Sequence, residues 1–396
     1  MKKIFTSVIL ILIFCSTAVF GQSGEKDWLF NLAGVRWYYM WGLDLLPTGA
    51  DLRVGYKGLS LFPGKDTIFQ ITAGAGYESF NLYRETDGAP ALPLSNFEKK
   101  EFDSWIIKWE PGIRQGLLWN ERLDKNLLEA FLFYRGRFDL YQDGRVIWGT
   151  SEADAENILS DLAAYKEALI FDDRNGILSN SLFTGIAVDN LTGNKLHRTR
   201  EGVYAEASLE WNPKTGSASP WTNFDFLRLN ASVKGFHTLY DAAEADEKNR
   251  FSVYLCDYFQ TDYAFGDNVP MFVMQSIGGT VPRDGLGDKA IRGFERYTYD
   301  TAFKIVNNLE IRANLPALYY QNLVPGVLAY VDAGYYNGFE KDPGENKQGF
   351  LCSTGLGVYL DGFGIEYVRM YINFPLIGDR VDGKNYALDV NFSLHF

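Results

Sequence analysis

The chain has 396 residues, of which 46% are hydrophobic and 16% aromatic, and its formal net charge is -12. This hydrophobic content excludes a disordered protein, and the acidic balance disfavours nucleic acid as a partner because phosphates repel it. Tyrosine and phenylalanine, which are typical of strands and membrane interfaces, make up most of the aromatic residues.

The first 21 residues have the features of a secretory signal peptide. Lys2 and Lys3 precede an apolar core at 4–14, and Val19-Phe20-Gly21 fits a cleavage site. A membrane anchor is the less favoured alternative because the run is shorter than the roughly 20 residues of a spanning helix. A lipoprotein modified at Cys15 is a minority alternative. We therefore expect a signal peptide at 1–21 and one outer-membrane domain at 22–396, without a spanning helix.

Apolar and polar residues alternate with period two along most of the chain, which predicts strands. The segment 303–315 is the clearest internal case, since Leu309 and Ile311 share one face whereas Glu310 and Arg312 share the other. So charged a face does not fit a dry core but fits a water-filled interior, with the apolar face toward lipid. Sixteen strands are predicted at about 28–40, 50–62, 66–79, 102–118, 127–140, 166–172, 178–190, 201–212, 225–239, 250–264, 268–278, 303–315, 327–336, 351–360, 365–374 and 386–396.

The connections between these strands fall into two length classes. Short connections are predicted at 62–66, 120–126, 173–176, 266–270 and 361–364, and long polar ones at 82–101, 140–165, 280–300 and 337–349. Short turns on one side and long loops on the other are typical of an outer-membrane barrel. Ser151 can cap a helix through Ala168, which we interpret as a lid on the barrel mouth rather than a partner-binding element.

The chain ends on an alternating strand. Its apolar row finishes at a terminal phenylalanine, which a soluble sandwich would not normally expose. We interpret five residues of this row as a C-terminal assembly signal: Tyr386, Leu388, Phe392, Leu394 and Phe396.

Sequence patterns for catalysis or metal binding are missing. The three histidines are not spaced as metal ligands, and neither Cys-x-x-Cys nor Gly-x-Ser-x-Gly occurs. The phosphate-loop pattern at 378–384 is followed by Asn385 and precedes a strand, so we interpret it as a hairpin loop. We interpret Cys256 and Cys352 as buried or lipid-facing residues, with a disulfide as the minority alternative. We therefore expect no enzyme activity, cofactor or metal, and an enzyme in the barrel mouth is a weaker alternative.

Arg292 lies in the long polar connection at 280–300 and is followed by Gly293 and Phe294. The alternation of the neighbouring strands turns Asp332 and Glu310 toward the interior. A guanidinium in a polar interior is stable when it binds a carboxylate through two parallel hydrogen bonds. Arg292 could therefore bind either carboxylate and fasten the connection to the wall. The alternative is a surface arginine without a partner.

Several of these segments occur in an order that resembles a known family. They are Gly278-Gly279, Ile291-Arg292-Gly293-Phe294, 308–312, 330–334, 353–357 and the terminal Phe396. From about Gly266 to Phe396, this order resembles the C-terminal barrel of the BamA/TamA superfamily, the bacterial surface-antigen barrels.

The resemblance implies an all-β fold: a 16-stranded antiparallel transmembrane β-barrel with short periplasmic turns, long extracellular loops and one inward-folded loop. In it, Arg292 would pair with Asp332, Gly293 would permit a tight bend, and Phe294 would pack against the interior wall. Members of this superfamily insert barrel proteins into the outer membrane or carry polypeptides across it. They do so at a weak seam between the first and last strands, where an edge is exposed.

We expect the chain to depart from the superfamily in one respect, since the residues before the first predicted strand are too few for the polypeptide-transport-associated domains that usually precede the barrel. We therefore expect a reduced member with a role in outer-membrane assembly or translocation. A passive pore or a surface-exposed antigen or adhesin on the same scaffold is the alternative. The expected partners are outer-membrane lipids, including lipopolysaccharide or its equivalent, and unfolded outer-membrane proteins or periplasmic proteins, but not nucleic acid.

Overall fold

The computed structural model describes residues 28–40, 43–59, 66–85, 97–142, 177–193, 200–213, 224–242, 250–284, 286, 290–294, 301–318, 323–338, 348–362, 365–378 and 385–391. Antiparallel sheet accounts for most of these residues. The elements are β1 (Trp28–Met40), β2 (Leu43–Leu59), β3 (Thr67–Glu85), β4 (Phe97–Asn120), β5 (Lys125–Tyr141), β6 (Ile177–Asp189), β7 (Thr192–Gly193), β8 (Arg200–Asn212), β9 (Asp225–Asp241), β10 (Ser252–Asn268), α1 (Met271–Met274), β11 (Ser276–Ile277), β12 (Arg283–Asp284), β13 (Thr301–Asn314), β14 (Leu323–Gly338), β15 (Gln348–Gly362), β16 (Ile365–Ile377) and β17 (Ala387–Asn391).

Fourteen of these strands form one meandering sheet, in which each strand pairs antiparallel with the next along the chain. They are β1 to β6, β8 to β10 and β13 to β17, while β7 pairs with β8 alone and β11 with β12. Within the described ranges, no helix is long and apolar enough to cross a bilayer.

The two faces of the sheet differ in polarity as the alternation predicts. On β13, Leu309 and Ile311 point outward and are 46% and 44% exposed, whereas Glu310 and Arg312 point inward and are each 7% exposed. The same outward apolar row continues across the neighbouring strands, with Val331 on β14 and Ile372 on β16 among its exposed members. An apolar outside around a polar inside is the arrangement of a membrane barrel and the inverse of a soluble one.

Fourteen of the sixteen predicted strands overlap a strand of this sheet. The prediction of a strand at 268–278 is wrong, because β10 ends at Asn268 and the chain then turns through α1 and β11 into the interior. The predicted short connection at 266–270 is wrong for the same reason, since 266–268 are the end of β10 and 269–270 begin the long connection to β13. The predicted strand at 166–172, the turn at 173–176, the helix at 151–168 and the signal peptide lie outside the described residues.

The longest connections of the sheet lie on one of its two sides, which also holds the two-residue connection at 41–42. The connections at 121–124 and 363–364 are short and lie on the side where β1 begins and β17 ends. Those at 86–96, 142–176 and 269–300 lie on the opposite side and are long. We call this opposite side the long-connection side.

The edges of the sheet approach one another at β17. Among the described residues, one parallel bridge joins Val390 of β17 to Leu43 of β2. By contrast, β16 pairs with β17 through five residues, from Arg369 with Asn391 to Asn373 with Ala387. Within the described part of these strands, the seam thus has one bridge where β16 and β17 have five pairs.

Candidate functional site in the inward connection

The inner face of β13 and β14 carries two buried acidic side chains. Asp332 is fully buried and Glu310 is 7% exposed. In the register of the two strands Asn308 is opposite Asp332, and Glu310 is opposite Tyr330. The two carboxylates therefore face the same part of the interior, and such buried charges require cationic partners.

Arg292 supplies the cation from the connection between β10 and β13. Its Nε and Nη2 atoms each donate to one oxygen of Asp332 at 2.7 Å, and its backbone N–H donates to Asp332 Oδ2 at 3.0 Å. Its Nη1 atom lies 2.6 Å from Glu310 Oε1. The sequence allowed Arg292 to bind either carboxylate, and in the structure it binds both. Its contact with Asp332 is the one with two parallel hydrogen bonds.

The rest of the pocket orients the Arg292 guanidinium. Arg312 donates to the second oxygen of Glu310 at 2.6 Å, so this carboxylate is shared between two arginines. The Tyr330 ring lies 3.5 Å from Arg292 Cζ, and the Tyr371 ring lies 5.1 Å from it, which permits cation–π attraction. Burial alone would lower the pKa of Arg292, but the Asp332 and Glu310 carboxylates raise it well above its ordinary value.

Gly293 and Phe294 complete this end of the connection. Gly293 has a φ of +86°, and a Cβ there would lie 3.0 Å from Asn373 Cβ, so glycine allows both the bend and the close approach. Phe294 is 4% exposed. It belongs to a buried apolar cluster with Ile277, Leu286, Ala290, Ile291, Val306, Tyr336 and Leu351.

A second group of charges, which the sequence analysis did not identify, holds the beginning of the connection. Asp262 on β10 is almost wholly buried and accepts hydrogen bonds from Arg228 Nε at 2.9 and 3.1 Å and from Lys304 Nζ at 3.2 Å. It also accepts the backbone N–H of Gly278 at 3.1 Å, while Arg228 Nη2 donates to Ser276 O at 2.6 Å. This cluster fastens 276–278 to the wall formed by β9, β10 and β13.

A third set of contacts joins the connection to the inner wall at β5 and β8. Arg135 Nη2 on β5 donates to Gly279 O at 2.8 Å. Glu206 on β8 accepts the backbone N–H of Thr280 at 2.9 Å and also the Thr280 hydroxyl. Arg135 is itself paired with the carboxylates of Glu110 and Glu210.

These three sets of contacts together place the connection across the interior. It is bound to β5 and β8 at Gly279 and Thr280, and to β13 and β14 at Arg292. A sheet that contacts one connection from strands so far apart in its order must curl around it. The interior is therefore occupied by the chain's own backbone and side chains.

We expect Gly355→Ala to destabilise the wall against which Arg292 packs. A Cβ at position 355 would lie 2.3 Å from Ile372 O and 2.6 Å from Tyr330 Cε1, which is closer than such atoms pack. The Tyr330 ring covering the guanidinium must then move, at a cost of about 1 to 3 kcal/mol. The measurement is the temperature at which the purified barrel loses its compact migration in an SDS gel.

Gly235→Ala on β9 is the matched control for this variant. A Cβ there would meet no atom within 4 Å outside its chain neighbours, so we expect little change. An equal loss of heat resistance in both variants would contradict the role assigned to the Tyr330 ring.

Both cysteines lie beside this site, because Cys256 is the cross-strand partner of Glu310 and Cys352 is that of Ala333. Tyr386 and Leu388 are exposed on the outer face, at 58% and 59%, while Phe392, Leu394 and Phe396 lie outside the described residues. Cys256 is buried on the inner face of β10, Cys352 is half-buried on β15, and neither forms a disulfide.

Comparison with known proteins found solved structures of similar fold but no sequence match. No family model matches the chain, and no curated protein matches it. One similar structure is BamA from Haemophilus ducreyi lacking POTRA domains 1-3, at 12% identity and a TM-score of 0.46, with 87% of this chain and 62% of that chain covered. Another is CdiB from Escherichia coli, at 12% identity and a TM-score of 0.46, with 86% and 52% covered. The chain thus spans less than two thirds of the length of these two structures.

Proposed function

We propose that this chain is an outer-membrane β-barrel of the BamA/TamA superfamily that assists the insertion of barrel proteins or carries polypeptides across the outer membrane. The observation that carries the proposal is the two-pronged contact of Arg292 with Asp332. These residues stand 40 positions apart, in the two segments on which the resemblance depends. Because the two segments meet at a buried charge pair, the resemblance extends from the order of the motifs to their chemistry.

The seam supports the same proposal. Where the structure describes it, one bridge joins β17 to β2, whereas the other ladders are longer, and a sparsely bonded strand edge is one with which an incoming strand could pair. Pairing of a foreign strand with a sheet edge is an established mode of peptide recognition. In this proposal the seam receives the client, and the fastened connection keeps the interior in one shape while the seam opens.

The outward apolar face supports a position in the outer membrane. Exposed leucine, isoleucine, valine and aromatic side chains cover that face on nearly every strand, and a bilayer is the solvent that suits them. Residues 1–21 would direct export, and the long-connection side would face the cell exterior. The partners in this proposal are outer-membrane lipids, lipopolysaccharide or its equivalent, and unfolded barrel proteins, and it assigns the chain no catalytic site or cofactor.

A wide passive pore is the less favoured function because the inward connection occupies the interior. The connection is bound to opposite walls by contacts from Arg135, Glu206 and Asp332. These contacts hold the connection in the path that ions would take through the interior. A surface antigen without a transport role fits the long connections equally well, and the following experiment separates it from the proposal.

The experiment uses the purified full-length protein in liposomes. A small urea-unfolded outer-membrane barrel is diluted into them, and its folding rate is followed by its compact migration in a gel. We expect faster folding than in liposomes that hold the same amount of an unrelated outer-membrane barrel, together with a small steady conductance. Absence of any effect on the client's folding would contradict the proposal, and a large conductance would then favour the pore, whereas a small one would favour the surface antigen.

A further inference from the structure

A cleft of about 510 Å³ opens on the outward face of the sheet, where β8, β9 and β10 reach the long-connection side. Its walls come from these three strands and not from the inward connection. The residues that matter for its chemistry are Leu209, Trp211, Asp225, Leu227, Phe265 and Asp267.

The cleft originates in a bulge at the end of β10. Phe265 pairs with Leu227, but the next paired residue of β10 is Asn268, opposite Asp225. Between them Gly266 has a φ of +148°, and a Cβ there would lie 2.1 Å from Asp225 O. Glycine is therefore required at this position, and the extra residue bends the end of β10 away from the regular ladder.

The cleft is apolar along the strands and acidic at its rim. Trp211, Leu227 and Phe265 are cross-strand partners in one row, and Trp211 and Phe265 are 46% and 37% exposed. Asp225 and Asp267 each follow this row by two positions toward the strand ends. Two carboxylates thus stand above an apolar surface.

The neighbouring aromatic rings place the cleft at the height of a membrane interface. The Phe265 and Tyr263 ring centroids are 5.1 Å apart, and Tyr263 continues to Phe303 at 6.1 Å. Phe303 in turn lies 6.3 Å from Tyr335 on β14. A row of outward aromatics across adjacent strands is typical of the belt where acyl chains meet head groups.

We propose that this cleft binds a lipid whose head group carries a primary amine, for which phosphatidylethanolamine serves as the probe. The ammonium group would donate hydrogen bonds to Asp225 and Asp267, and an acyl chain would lie along Trp211, Leu227 and Phe265. Charge decides between lipid classes, because two carboxylates repel an anionic head group, and a choline head group has no N–H to donate. The inference rests on the membrane position in the proposed function but not on a role in assembly or transport.

The test measures lipid selectivity at Trp211 in reconstituted full-length protein. Phosphatidylcholine bilayers contain a fixed fraction of a bromine-labelled lipid with an ethanolamine, choline or glycerol head group, and bromine quenches nearby tryptophan fluorescence. The Trp211 signal is the difference between the wild type and Trp211→Phe. An exposed ion pair predicts about a two- to fivefold preference for the ethanolamine lipid over the choline lipid.

The paired variant Asp225→Asn with Asp267→Asn is expected to abolish this preference. Asp257→Asn is the matched control, since Asp257 is an exposed outward carboxylate of β10 that lies outside the cleft. Equal quenching by all three lipids, stronger quenching by the glycerol lipid, or a preference that survives in the paired variant would overturn the inference.

The remaining tryptophans test the premise separately. Trp105 is 42% exposed on the outer face of β4 and should be quenched by every brominated lipid. If no tryptophan is quenched, the membrane position fails and this inference fails with it. A failed client-folding assay beside selective quenching at Trp211 would overturn the assembly role alone.

Discussion

Asp332→Ala is expected to lower the free energy of unfolding of the barrel by about 3 to 5 kcal/mol, because it leaves the buried Arg292 guanidinium with an incomplete set of acceptors. Asp332 is fully buried, and it accepts three hydrogen bonds from Arg292, one from the backbone and two from the side chain. Glu310 remains at 2.6 Å as a partial partner, so we expect the lower part of this range. The measurement is reversible unfolding in urea in detergent or lipid.

Two further variants show whether the loss comes from this contact. Arg292→Lys keeps the positive charge but cannot form the two-pronged bond, so we expect a smaller but clear loss. Asp257→Ala removes an exposed carboxylate whose partner is Asn307, at 2.7 Å, and should change stability little. Equal stability of Asp332→Ala and Asp257→Ala would show that the buried pair does not stabilise the barrel.

Asp262→Asn is expected to have a comparable effect at the opposite end of the connection. The change removes the negative charge between Arg228 and Lys304, which are 5% and 1% exposed, and leaves two buried cations facing one another. Breaking a buried ion pair by removing one partner costs about 3 to 5 kcal/mol. Because the same carboxylate accepts the Gly278 N–H, residues 276–278 should also become accessible to protease.

A compensating variant separates charge imbalance from general damage. Lys304→Met removes one cation, and together with Asp262→Asn it restores the local balance of charge. We expect the double variant to be more stable than Asp262→Asn alone. If the two losses simply add, the charge relation proposed for this cluster is wrong.

The sequence predicts the faces of the strands well because alternation records which solvent each side chain meets. Asp332 stands between outward Val331 and Ala333, so its inward direction follows from position alone. The same reasoning orients Glu310 on β13. The local pattern is sufficient to orient these side chains because one face of each strand is consistently apolar and the other is polar.

Prediction from the sequence fails where an apolar segment is covered by other parts of the protein and not by lipid. The segment 268–278 has apolar residues at Val269, Met271, Val273 and Ile277, which reads as an alternating strand. In the structure these side chains fill the interior instead, around α1 and β11. Alternation of period two in a short apolar segment does not distinguish a lipid-facing strand from a segment that packs inside the protein.

The sequence analysis did not identify the second group of charges, around Asp262, or the third set of contacts, from Arg135 and Glu206, for a different reason. Alternation turns Arg228 and Asp262 inward, but their meeting depends on the register between β9 and β10. The contacts of Arg135 and Glu206 with Gly279 and Thr280 depend in addition on the path of the connection across the interior. A local sequence pattern encodes neither the register between two strands nor the path of a connection. A map of strand pairing, together with the charge pattern, would have identified both sets of contacts.

We propose that the Arg292–Asp332 pair fastens the inward connection to the wall of a membrane barrel, and a double-mutant cycle between the two residues tests this most directly. If the pair does so, Arg292→Ala and Asp332→Ala each lower stability, and the double variant loses much less than the sum, with a coupling of about 1 to 3 kcal/mol. Losses that add within about 0.5 kcal/mol would show that the two residues act independently, and the account would be contradicted.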